Sequence, residues 1–111
     1  MFPFDKQIKS ISAAELQQAL ASGKRYRLVD VREPQEYAEG HIPGSTLHPV
    51  GQIDAWASEL NRDEEIVLVC RSGRRSAGAW EYLDRQGFNR ILNMSGGMLA
   101  WQGPVEKGQK Q

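Results

Sequence analysis

The sequence predicts an α/β domain in which a mostly parallel sheet of about five strands carries helices on both faces. Three observations lead there. Short apolar runs rich in Val, Ile and Leu at 26–31, 66–69 and 90–94 alternate with amphipathic stretches, and such alternation requires crossover connections. The 111 residues match the common size of one domain. No linker or internal repeat divides them, so 1–111 reads as one domain, with a core at about 8–103 and a frayed polar tail at 104–111.

In chain order, residues 1–6 read as a lead-in and 7–11 as a short edge strand. Ser12-Ala13-Ala14-Glu15 has the form of a capping box, with Ile11 and Leu16 at the staple positions around it. Ala13, Leu16 and Leu20 share one face of the helix that follows, and Gly23 suits its end. Tyr26–Val31 is the second strand. Pro34 fits the first position of a short helix through Ala38, with Tyr37 as its core contact. Gly40-His41-Ile42-Pro43-Gly44 is a turn-rich loop, and Ser45–His48 a brief strand. Val50–Leu60 is expected to be one helix, because Ile53, Trp56 and Leu60 recur at the spacing of a buried face. Ile66–Val69 has the length and branching of a buried strand, and a helix from about Arg75 to Gln86 turns Trp80 and Leu83 inward. Arg90–Met94 is the last strand, Ser95-Gly96-Gly97 a flexible turn, and Met98–Trp101 a final short helix. Trp56, Trp80 and Trp101 read as core residues. Connected this way, the loops after Val31, His48, Cys70 and Met94 gather at one edge of the sheet, where α/β sheets bind ligands.

Composition narrows the function classes. Fourteen basic and fourteen acidic residues cancel to a net charge of zero, which argues against nucleic-acid or membrane binding driven by bulk charge. No apolar run approaches the roughly twenty residues of a membrane span. The first turns of sequence carry Asp5, Lys6, Lys9 and Glu15 and lack the apolar centre of a signal peptide. Cys70 is the only cysteine, so no internal disulfide forms, and the expected location is the reducing cytoplasm.

Cys70 closes the buried strand and is followed by Arg71, Ser72, Gly73, Arg74 and Arg75 before the helix begins. A cysteine that ends a strand is commonly a small core hydrophobe. Three arginines and a glycine directly after it point elsewhere. Backbone amides of a tight loop and a helix start attract anions, added cations strengthen the field, and such surroundings hold a thiol as its nucleophilic thiolate. The residues by themselves thus describe a cradle for a reactive thiolate that also admits a small anion. Asp30 and Arg32, at the neighbouring strand end, fit an ion pair that builds the site rather than reacts in it. Glu36 has Arg75 and Arg32 as candidate partners. His41 reads as a hydrogen-bonding loop residue, and the spacing of His41, His48 and Cys70 fits no zinc signature.

Four motifs, in order, resemble those of the rhodanese superfamily in its single-domain sulfurtransferase form. They are Val29-Asp30-Val31-Arg32 with Glu36-Tyr37, then Gly40-His41-Ile42-Pro43-Gly44, then the C-x-x-G-x-R loop Cys70–Arg75, then Gly96-Gly97 with Trp101. The likeness runs from about Ser12 to Trp101. Ser45 stands where the family often has alanine, a small-for-small change. The resemblance implies a rhodanese-like fold and a thiosulfate sulfurtransferase. Cys70 would attack a small anionic sulfane-sulfur donor, become a persulfide, and pass the sulfur to a thiol, a thioredoxin-like protein or cyanide. It implies no cofactor or metal, the persulfide being the carrier. Arg71, Ser72, Gly73, Arg74 and Arg75 would form the binding loop, with a hydroxyl from Ser72 on the sulfur. A carrier that serves one dedicated partner is the alternative. Related phosphatases and arsenate reductases resemble the pattern C-x5-R, whose arginine would fall on Ser76; Arg75 gives the shorter loop associated with sulfur transfer.

Overall fold

A computed structural model of the chain describes residues 7–108. Five strands form one sheet in the order β1-β5-β4-β2-β3: β1 Ser10–Ser12, β2 Arg27–Asp30, β3 Thr46–Leu47, β4 Ile66–Val69 and β5 Ile91–Ser95. Every pairing is parallel. The helices are α1 Ala13–Ala21, α2 Pro34–Glu39, α3 Ile53–Trp56, α4 Arg74–Arg85 and α5 Gly97–Ala100. A parallel sheet is covered on both faces, so its central strand is apolar throughout: Ile66, Val67, Leu68 and Val69 are all fully buried.

Side-chain alternation along β4 divides the core in two. Ile66, Leu68 and Cys70 join Val29, Val31, Trp56, Ala79, Trp80 and Leu83 on the face covered by α3 and α4. Val67 and Val69 join Leu16, Leu28, Ile42 and Met94 on the face covered by α1 and α5, with Trp101 partly buried at its margin. Cys70 therefore belongs to the α4 side. The α1 capping box forms as expected: Glu15 N–H donates to Ser12 Oγ at 3.0 Å, and Ser12 N–H to Glu15 Oε1 at 2.9 Å.

Three expectations need correction. The stretch after Val50 is not one helix but a 3-10 turn at Val50–Gln52, the short α3, and a second 3-10 turn at Ala57–Glu59. Its apolar spacing correctly finds the buried Trp56 and Leu60, but i→i+3 bonds such as Gln52 N–H to Pro49 O and Leu60 N–H to Ala57 O tighten both ends. The edge strand lies at Ser10–Ser12 instead of 7–11, in register with Asn93, Met94 and Ser95. The tail is not frayed from 104. Glu106 exchanges both backbone bonds with His41, at 2.9 and 2.8 Å, and Gly108 N–H reaches Ala38 O at 2.8 Å. Residues 1–6 and 109–111 lie outside the described residues.

Candidate active site

The parallel topology brings the carboxyl ends of β2, β4 and β5 to one edge. Backbone bonds then lock their loops together: Met98 N–H donates to Cys70 O at 2.8 Å and Leu99 N–H to Arg71 O at 3.0 Å. This contact is possible only because residue 97 is glycine. A Cβ there would lie 2.6 Å from Cys70 O and closer still to the Arg71 carbonyl, with φ at +58°. The Gly96-Gly97 segment is thus a tightly seated support for the loop, not a flexible turn. From β5, Asn93 Nδ2 donates to Gly73 O at 3.2 Å.

Held this way, the loop wraps the sulfur. Gly73 occupies the left-handed region at φ +100° and is the N-cap of α4, with no side chain to cap the helix. The Cys70 sulfur takes that place. Gly73 N–H points at Sγ at 3.0 Å, Ser76 N–H at 3.4 Å and the Ser76 hydroxyl at 3.2 Å. The first free amides of a helix are satisfied by an acceptor that they polarise in turn. Burial opposes ionisation of this thiol, but the Ser76 hydroxyl, the Ser76 and Gly73 amides and the Ser72 amide outweigh it, and the pKa falls below its ordinary value. Cys70 has no exposed surface, so low local dielectric strengthens these bonds.

The hydroxyl on the sulfur comes from Ser76, not Ser72, which is exposed and supplies only its backbone. Sequence reasoning missed Ser76 as a site residue, although it lies in the first turn of α4, where a side chain can face back over the N-terminus.

The charged residues divide into two groups. Asp30 and Arg32 are buried together, with Arg32 Nε and Nη2 on the carboxylate at 2.9 and 2.8 Å and Nη2 also on Gly40 O at 2.8 Å. They tie the β2 end to the loop that carries His41. His41 stacks on Tyr37 with centroids 3.7 Å apart, and its Nδ1 lies 2.8 Å from Tyr37 O. Glu36 takes Arg75, not Arg32, in a two-bond fork with both distances 2.8 Å. That fork holds the Glu36 carboxyl down at about 2, and it raises Arg75 from its already high value, with a smaller contribution from the Cys70 thiolate. Arg71 and Arg74 are exposed and pair with no carboxylate among the described residues. The free cations at the site are therefore these two; Arg75 is engaged. Among the described residues no three His, Cys, Asp or Glu side chains converge to hold a metal ion, and no helix is long and apolar enough to cross a membrane.

Together the parallel sheet and the Cys70 sulfur that takes the place of a cap at its central βα turn define a class: a small α/β domain that holds a buried cysteine sulfur among amide donors and a hydroxyl. The family model for the Rhodanese-like domain matches residues 12–104, and the chain belongs to that family. It is 43% identical over 100 residues to YtwF of Bacillus subtilis, provisionally named a sulfurtransferase, covering 90% of this chain and 96% of that protein. It is 39% identical over 99 residues to YrkF of Bacillus subtilis, provisionally named a sulfur carrier protein, covering 89% of this chain and 54% of that protein. The crystal structure of a rhodanese-like domain protein from Staphylococcus aureus superposes with a TM-score of 0.84 at 38% identity, covering 90% of this chain and 98% of that one.

Proposed function

We propose that the chain is a cytoplasmic sulfurtransferase that moves sulfane sulfur from thiosulfate, or a related anionic donor, to a thiol or cyanide through a Cys70 persulfide. The observation that carries this reading is the Cys70 sulfur as the acceptor for the amides of Gly73 and Ser76 and the Ser76 hydroxyl.

The chemistry follows from that geometry. The Cys70 thiolate attacks the outer sulfur of thiosulfate. A Cys70–S–S⁻ persulfide forms as the sulfur–sulfur bond of the donor breaks, and sulfite leaves with its electron pair. Charge is conserved, since a monoanion and a dianion give a monoanion and a dianion. An acceptor thiolate then attacks the outer sulfur, and Cys70 departs as thiolate. The transfer is split into two displacements, each with negative charge on sulfur inside the cradle. Arg71 and Arg74, free of carboxylates, meet the sulfonate end of the donor. Asp30, Arg32 and Glu36 position the surrounding loops. The cycle needs no cofactor, and with one cysteine in the chain the sulfur leaves to another molecule.

The test is thiosulfate-dependent sulfur transfer to cyanide and to a dithiol, with mass measurement of the donor-treated protein. A mass gain of one sulfur on Cys70, lost on reduction, and no turnover in Cys70→Ala are expected. Unchanged turnover in Cys70→Ala sinks the mechanism. The similarity to YrkF favours a second reading, a carrier that loads the same persulfide and releases it to a dedicated partner protein. It is distinguished by persulfide formation with poor turnover on cyanide.

A further inference from the structure

Between Val50 and Leu60 the sheet face that carries Cys70 is covered by short pieces: a 3-10 turn, the four residues of α3 and a second 3-10 turn. Elements this short gain little from their own hydrogen bonds. Tertiary contacts hold them instead. Val50 N–H donates to Val31 O at 3.0 Å, Trp56 Nε1–H donates to Pro49 O at 2.7 Å, and Trp56 and Leu60 are buried. Val31 N–H in turn donates to Val69 O at 2.9 Å, so the segment is tied to the strand end that leads into Cys70.

His48 stands where this segment leaves the sheet. Its backbone N–H donates to Asp30 O at 2.8 Å, and its ring meets that of Trp56 with centroids 5.2 Å apart and planes tilted by 33°. Its Nε2 is buried with no hydrogen-bond partner among the described residues, and so is Arg27 Nε on β2. Charge reaches the ring from two elements, from Arg27 on β2 and from Glu59 on the second 3-10 turn, while α3 presents the Trp56 ring. A neutral imidazole suits this place, because one of its ring nitrogens carries no proton to donate. A protonated ring has two N–H donors. Its Nε2–H would then lie buried without an acceptor, and its charge would face the Arg27 guanidinium. Burial, and then Arg27, oppose the proton and outweigh Glu59, so the ring's pKa lies below its ordinary value.

We infer that His48 is a proton-sensitive latch on the Val50–Leu60 segment: neutral, it seats the segment against the sheet, and protonated, it releases the segment from the Cys70 face. The latch goes beyond the sulfur transfer proposed above and does not depend on it. Its sign follows from linkage. The seated ring takes its proton at lower pH than the released ring. The closed segment therefore keeps its full stability above the ordinary histidine pKa and loses it as pH falls from there towards the folded value. Trp56, Ala57 and Leu60 share one core with Cys70, so release in acid loosens the packing behind the cradle without a change at the sulfur itself.

The experiment uses the full chain. Proton NMR follows the two imidazoles, and the signal lost in His48→Gln is that of His48. Its midpoint is expected below the ordinary histidine value; Arg27→Gln should move it up and Glu59→Gln down. Hydrogen exchange then follows the Val50 and Leu60 amides, with Leu68 of β4 as the reference. From about pH 7.5 to about pH 5 the Val50 protection factor should fall by up to about thirtyfold, the gain from protonating an ordinary imidazole in the released segment while the seated one stays neutral. His48→Gln should abolish that fall, and Leu68 should keep its protection. A midpoint at the ordinary value, or one that Arg27→Gln leaves in place, overturns the latch. So does an equal loss at Val50 and Leu68, which is unfolding of the whole domain, or a fall at Val50 that survives in His48→Gln. If His48→Gln does not fold, the midpoints in Arg27→Gln and Glu59→Gln decide.

Discussion

Gly97→Ala is the sharpest perturbation that the structure offers, because it alters the sulfur cradle without touching a polar atom. The new Cβ would lie 2.6 Å from the Cys70 carbonyl oxygen and nearer to the Arg71 carbonyl, inside the 3.0 Å that real Cβ atoms respect. The atoms it meets are backbone, so no side chain can swing aside. Relief requires α5 to retreat from the loop, which breaks the Met98–Cys70 and Leu99–Arg71 bonds. Each such bond contributes roughly 0.5–1.5 kcal/mol net. Holding a non-glycine residue in the left-handed region adds about 1–2 kcal/mol. The sum is about 2–5 kcal/mol, a large share of the roughly 5–15 kcal/mol that stabilises a domain. Denaturant unfolding measures this loss, and an ultraviolet titration of the thiolate measures the loosening of the cradle, which should move the Cys70 ionisation to higher pH. Gly78→Ala is the control: nothing lies within 4 Å of its Cβ position inside α4, and alanine there should be neutral or stabilising by up to about 1 kcal/mol. The reasoning is refuted if Gly97→Ala unfolds within about 1 kcal/mol of the parent and its thiolate titrates as before.

Other outcomes follow from the same geometry. Ser76→Ala removes the hydroxyl at 3.2 Å from the sulfur; a bond to a charged acceptor is worth about 1.5–3 kcal/mol, so sulfur loading at neutral pH should fall about tenfold or more and recover at alkaline pH, and a pH profile that overlays the parent's contradicts this. Asn93→Leu removes the Nδ2 donor to Gly73 O together with a buried Oδ1 that has no partner among the described residues. Unfolding free energy should stay within about 1 kcal/mol of the parent while the thiolate titration moves up, and a titration that does not move removes Asn93 from the cradle's support. Glu36 is depressed to about 2 by the Arg75 fork, so its folded pKa lies below the unfolded value; the stability it contributes is complete above that unfolded value and is lost as pH falls towards 2. The difference in urea midpoint between the parent and Glu36→Gln should therefore narrow on acidification from pH 6 (~2 units above the ordinary carboxylate range), and a constant difference argues against the ion pair.

Local pattern determined much of this protein. Branching and apolarity put Ile66–Val69 at the centre of the sheet, the capping box set the start of α1, and Cys70 followed by glycine and arginines marked the site, because each signal lies within a few consecutive residues and reports short-range sterics or hydrogen bonding. The same locality explains the failures. Apolar spacing found Trp56 and Leu60 but not the 3-10 turns that deliver them, since burial fixes which side chains face inward and not how the backbone bonds. Glu36 had two candidate arginines, and only packing across a separation of 39 residues gave it Arg75 and left Arg32 to Asp30. Ser72 sits closer to Cys70 in sequence, yet the first turn of α4 aims Ser76 at the sulfur. The need for glycine at 97 comes from two carbonyls of a different loop, and the placing of the tail from an isolated bridge between Glu106 and His41. What the sequence by itself determined is the central strand, the cysteine loop that ends it and the family they resemble. Which donors touch the sulfur, which cations stay free and what lies beside them were decided by tertiary structure, because those contacts join segments whose approach no local pattern records.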